Sequence, residues 1–419
     1  MTDAEALEGE PVRHDNERHA VQGRGESGRL VPSVGVGIAA AVLVAAVLGG
    51  SLVVFRHAGD ALAVPSGAAH HATPTSSGPT VTPKVVYSLP EGGQPPSSFG
   101  SDPKRRGVWF VTGNMATASI VFVGVNPSRS RVFSLHAHYS LGSAGGIAVA
   151  SDGTVWAGIK MVLIHLNPTT GAVTTYRVPT PGDSSAAEAY NPAWIKGTHF
   201  INAVAVTGPD TVALAIQDAD QVVVFRGGRF VGWSLPVNTV PEDVAYLNDG
   251  TLGVSLSDFN THHYDRVVTY TRSGARSESP LVDVFKLAST GTRFVSVDKQ
   301  MDIFNADARL TATVPFVPAI NPTLVITGGL GILPNGDLMV RSGDGILVAS
   351  LSTGATVTLQ LPRAACPNSI SFSVPPPPHP AGYLCEQTPY LVASDGAGDL
   401  WMTLGNETQI DVVEGVGTK

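Results

Sequence analysis

The chain has 419 residues, 43% of them hydrophobic and only 14% charged, too apolar for a disordered polymer and long enough to bury a large core. A net charge of −8, with 26 Lys and Arg against 34 Asp and Glu, offers no general attraction to nucleic acid. Two cysteines exclude a disulfide scaffold and a zinc site built from cysteine alone.

Residues 1–29 hold seven acids and four Arg without apolar periodicity, the pattern of a short disordered tail. From Leu30 to Phe55 no residue is charged, and a membrane-spanning helix needs about 20 apolar residues. Secretory signal peptides carry a shorter apolar core of roughly 7–15 residues, so the run reads as an uncleaved signal-anchor. Ala61 and Ala63 keep a cleavage site open as the alternative. Arg18, Arg24 and Arg29 precede the run and only Arg56 closely follows it, which sets the N-terminus in the cytoplasm and the body outside. Gly35, Gly37 and Ala40 match a dinucleotide fingerprint in letters only, because they fall inside the membrane run. Residues 56–84 form a Pro, Ser, Thr, Gly and Ala tract that reads as a spacer.

The body, 85–419, repeats. A short strand ending in proline or a turn recurs as VVYSLP at 85–90, RVFSLH at 131–136, TTYRVP at 174–179 and VGWSLP at 231–236. It returns as SESP at 277–280, TATVP at 311–315 and VTLQLP at 357–362. A tight turn keeps time with it: Asp152-Gly153, Asp249-Gly250, Gly291, Asn335-Gly336 and Gly398 each precede a buried-type residue by three positions. The unit reads strand, turn, strand, loop, strand, turn, strand, one four-stranded propeller blade. Seven blades is the count, with six or eight left open by degenerate blades 1 and 5. The lone first strand is free to complete the last blade and remove an exposed edge.

Strand parity separates two faces. One carries only short turns. The other carries 113–119, 181–197, 257–265 and 363–387, and lengthened loops on a rigid scaffold are where binding resides. Tyr190 and Trp194 lie in the second of these loops. Asn202, Glu242, Asp243 and Asp283 stand near the starts of inner strands, where they would line the channel mouth on that face. Asp258, His262, His263 and Asp265 offer a metal set in one loop. Adjacent histidines on an extended segment point opposite ways, so a solvated hairpin loop is the stronger reading there. Cys366 and Cys385 bracket a Pro-rich insertion, and outside the membrane a disulfide would close it.

Blade 2, GGIAVASDGTVWAGI followed by LIHLNPTTGAVTTYRVP, resembles the repeat of streptogramin (virginiamycin B) lyase-like propellers and of the wider NHL and SMP-30 type group. The resemblance implies an all-β propeller. Lyases of that kind use a His and a Glu-x-His pair with magnesium, and this chain contains no Glu-x-His, so their chemistry does not carry over. SMP-30-like lactonases hold a divalent metal with Glu, Asn and Asp, a role into which Asn202, Glu242 and Asp243 fit only loosely. The expectation is therefore a membrane-anchored, extracytoplasmic bacterial seven-bladed propeller that binds an envelope protein, peptide or small ligand, without cofactor, nucleic acid or catalysis. A metal-dependent lyase or lactonase with a diverged site is the alternative.

Overall fold

A computed structural model describes residues 79–90, 93–113, 117–135, 144–184, 199–257, 265–282, 284, 286–297, 300–315, 330–342, 345–353, 355–362, 364–365, 384–385, 391–404 and 409–418. The described elements are strands apart from two three-residue 3-10 turns. They form seven four-stranded antiparallel sheets and one two-stranded hairpin. Six blades take their strands in chain order, blade 1 beginning at Gly100–Ser101. The seventh combines the last three long strands with the first, Lys84–Ser88, which pairs with Gln409–Val413.

The inner strands are Gly100–Ser101, Ala144–Val149, Ile201–Val206, Val240–Tyr246, Lys286–Ser289, Leu330–Ile332 and Leu391–Ser394. Each contacts the next, and the last meets the first, so the ring is closed. Among the described residues no single core exists. Apolar residues fall into seven clusters, each shared by two consecutive blades, such as Trp156, Leu163, Leu214 and Phe225 between blades 2 and 3. The period of two in each strand sends alternate side chains to opposite neighbours, so the middle strands are buried on both faces.

The predicted turns sit between inner and second strands. Gly153 and Gly250 adopt φ of 94° and 85°, which a side chain with a Cβ reaches only with strain. Three positions on, Trp156, Phe294, Met339 and Trp401 are fully buried between blades. In blades 1 and 7 an aspartate clasps that turn. Asp395 accepts from Trp401 Nε1 at 3.0 Å and from the amides of Ala397 and Asp399, and Asp102 does the same for Trp109 Nε1 at 2.9 Å and the amides of Lys104 and Arg105. In blade 2 Asp152 is spent on Thr154, and Trp156 Nε1 has no partner among the described residues.

Two further ties secure the closure. The Arg106 guanidinium of blade 1 forks onto Asp399 of blade 7 at 2.8 Å and reaches Glu414 at 2.9 Å. Pro79–Val81, within the tract read as a spacer, pairs in parallel with the outer strand of blade 6 through Val81 N to Gln360 O and Gln360 N to Pro79 O.

Candidate functional site

In each blade the first–second and third–fourth strand turns are short, 227–228 being the shortest and 125–130 among the longest. The connections on the opposite face include 178–200, 316–329 and 361–390. Inner strands start at that face, so their first residues surround the channel mouth. Three of them carry a β-bulge there: the register shifts between Ala144 and Ile147, between Ile201 and Ala203, and between Pro241 and Asp243. A bulge re-aims the extra residue, and the extra residues in blades 3 and 4 are Asn202 and Glu242.

These polar residues are half-buried and tied together. Asn202 Nδ2 donates to the Glu242 carbonyl at 3.0 Å, bridging blades 3 and 4. Glu242 Oε1 accepts from Ser257 Oγ at 2.6 Å. Asp243 accepts from its neighbouring Val244 amide at 2.9 Å and from the Leu287 amide of blade 5 at 3.3 Å. Burial pushes both carboxyls above the usual range; the Ser257 bond and the Lys286 charge oppose it for Glu242, and Lys286 and the two amides for Asp243. In blade 2 the bulge is glycine, because a Cβ at Gly145 or Gly146 would overlap the backbone of Ile201 or of Ala203 and Val204.

Beside this row stands a group that the sequence reading missed. Asp183 and His199 lie at the two ends of segment 185–198 and meet as Oδ1 and Nε2 at 3.0 Å. His199 Nδ1 lies 3.1 Å from the Gln217 carbonyl. Ser184 donates to the Thr239 carbonyl at 2.8 Å, and its amide bonds the Asp218 carbonyl. Asp218 is buried at φ 63°, with its carboxyl raised by desolvation against the opposing pull of His199. Its charge adds to the upward push on Glu242, which places the two groups in one electrostatic neighbourhood. A separation of sixteen positions between Asp183 and His199 is invisible to local spacing rules, so only the fold brings them together.

Of the predicted site residues the structure thus unites Asn202, Glu242 and Asp243. Asp283, Tyr190, Trp194, Asp258, His262 and His263 lie outside the described residues, while Asp265 is described at the entry of blade 4's third strand, its carbonyl bonded by the Val282 amide. Among the described residues no three His, Cys, Asp or Glu side chains stand close enough to share a metal ion. Glu242 and Asp243 spend carboxylate oxygens on Ser257 and on backbone amides, which suits a fixed polar rim better than an open ligand set. Cys385 lies in the small hairpin, opposite Ala364, whereas Cys366 lies outside the described residues, and no disulfide is recorded among those described. Among the described residues no helix is long and apolar enough to cross a membrane; Leu30–Phe55 lies outside them.

No family model matches the sequence, and comparison with curated proteins gives no match. Solved structures do match in shape. The WD40 propeller domain of Doa1 is 10% identical over 79% of this chain and 96% of its own, with a TM-score of 0.51. A chain of a mitotic checkpoint complex is 11% identical over 84% and 97%, with a TM-score of 0.53. The extracellular domain of a putative one-component system, BT4673 from B. thetaiotaomicron, is 13% identical over 79% of this chain and 39% of that one, with a TM-score of 0.51. At such identities the likeness is one of fold, and the chain is a seven-bladed β-propeller.

Proposed function

We propose that the protein is a membrane-anchored, extracytoplasmic, non-catalytic binding module that holds a protein or peptide partner on its loop-rich face. The observation that carries this reading is the asymmetry of the disc: short turns on one face, and on the other the long connections, the bulged inner strands and the Asn202–Glu242–Asp243 rim. A chain of a mitotic checkpoint complex and the extracellular domain of a putative one-component system share the fold, which supports recognition as its use here. The kinship with streptogramin lyase-like and NHL repeats rests on the blade 2 sequence alone. A Cys366–Cys385 disulfide would fasten the longest insertion, and thiol labelling before and after reduction reads it directly; free thiols in the purified protein would remove it from the scheme.

The test exchanges 185–198 and 366–383 for short Gly-Ser turns, leaving the Asp183–His199 clasp and the small hairpin in place. Cross-linking in intact cells should capture a partner with the parent chain and lose it with the exchanged one, at unchanged β content. Equal capture by both would end this reading. A diverged lyase or lactonase, the second reading, draws on the raised Glu242 and Asp243 carboxyls. It requires a stoichiometric divalent ion in the protein purified from metal-replete medium, and elemental analysis decides it.

A further inference from the structure

Blade 2 passes from its second to its third strand through two residues, Lys160 and Met161. A turn that short needs left-handed backbone at its first residue, a position suited to Gly, Asn or Asp. Lys160 holds it at φ 52°. The other described non-glycine residues with positive φ are Asp218, Asn238 and Ala308, so Lys160 alone among them brings a long cation. The turn is fixed: the Lys160 carbonyl accepts from Ile201 N at 2.8 Å and the Met161 carbonyl from Val178 N at 3.0 Å.

Against the turn lies an open depression of about 450 Å³ lined by Lys160, Met161, Val162, Thr175 and Arg177. Thr175 and Arg177 are two apart on the outer strand, and Arg177 stands opposite Val162. Met161 and Val162 are half-buried, whereas Lys160, Thr175 and Arg177 are exposed. Arg106, Arg266 and Arg276 are matched by carboxylates, but neither the Lys160 nor the Arg177 side chain makes a hydrogen bond or ion pair among the described residues. Two unmatched cations thus flank an apolar floor on the loop-rich face of a chain with net charge −8.

We propose that this depression docks an acidic, extended peptide segment of the partner, with carboxylates on Lys160 and Arg177 and an apolar side chain over Met161 and Val162. The proposal rests on the reading of the loop-rich face given above. Charge complementarity selects the occupant. Two cations are too few for a nucleic-acid backbone, whose binding grows with the number of phosphates neutralised, and the net negative field repels any polyanion not met locally.

The probe is an acetylated Asp-Val-Asp-Val-Asp-Val-Asp peptide, titrated by calorimetry into the full chain in neutral detergent, beside its Asn analogue and inorganic phosphate. Lys160→Asn keeps a residue that accepts positive φ, so the turn survives. K160N and R177Q should each weaken the Asp peptide about fivefold, and together more than about tenfold, at unchanged melting temperature. Added salt should weaken it further, since exposed charges are screened. Retained affinity in the double variant, equal binding of the Asn peptide, or phosphate competing as well as the peptide would each overturn the proposal. If the double variant keeps the cross-linked partner while loop exchange still loses it, the docking site fails and the face reading stands. If loop exchange leaves the partner bound, the face reading fails whatever the peptide does.

Discussion

Asp411 shows how a single residue can run against the fold that contains it. It sits in the third strand of blade 7, on the side shared with Met402 and Val413 that packs against blade 6, and is 3% exposed. Its Oδ2 has no hydrogen-bond partner among the described residues, and burial alone pushes its carboxyl from 3.8 up to about 6. The folded state therefore holds this proton more tightly than the unfolded chain does. The stability linked to it is fully present below 3.8 and is lost as pH rises through about 6. That rise corresponds to about 3 kcal/mol. Asp411→Asn should match the parent near pH 3.5 and exceed it by about 2 kcal/mol at pH 7.5, since the amide carries no charge to desolvate. Urea unfolding at both values checks this; an advantage independent of pH would show that the carboxyl is not desolvated. The Asp395 carboxyl, also raised by burial, differs because it serves Trp401 and two turn amides, so its removal leaves three donors unmatched.

At the scale of elements the closing strand decides whether the ring is a ring. Lys84–Ser88 supplies the fourth strand of blade 7, with a bulge between Val85 and Tyr87, and Val86 and Leu89 fill the core shared with blade 1. Without residues 79–88, Gln409–Val413 becomes an open edge and both ends of the ring lose a neighbour. Deletion should lower the melting temperature by at least about 5 °C and promote self-association, and a synthetic 79–88 peptide added in trans should restore much of both. A deletion that melts like the parent would show that the Arg106–Asp399–Glu414 tie suffices alone. The blade architecture was legible because each unit repeats a tight turn and a strand ending in proline, and parity then separated the faces. The parallel contact of Pro79–Val81 with blade 6 was not legible, since a Pro-Thr-Val segment in a Pro-rich tract has no strand signature. Nor was the Asp–Trp clasp: Asp152 precedes Trp156 by four positions and does not bind it, while Asp395 precedes Trp401 by six and does.

For the whole molecule, parts of the rim were readable as polar residues at strand starts, but their state was not. Asn202 and Glu242 are recognised as neighbours only once two bulges and the adjacency of blades 3 and 4 are known. Lys160 looks like an ordinary surface lysine until its φ is measured. How the disc is presented depends on the chain before Pro79, and there composition makes a definite prediction. A run from Leu30 to Phe55 without charge should hold the full chain in membranes through a high-salt wash, which strips proteins bound by charge but not by a spanning helix. The tract before Pro79 is rich in Pro, Ser and Thr and has no apolar pattern to bury, whereas the described blades are laddered and closed. A broad-specificity protease added outside intact cells should therefore cut between Arg56 and Pro79 and release the body from the membrane, since a Pro-, Ser- and Thr-rich tract with nothing to bury is where nicking concentrates. Residues 57–83 hold no Lys or Arg, so trypsin would not cut inside the tract and a protease of broad specificity is the one that reads the junction. Release only after cell lysis would place the body in the cytoplasm and reverse the orientation drawn from Arg18, Arg24 and Arg29. Release by salt alone would remove the anchor and leave a propeller that reaches membranes through its partner.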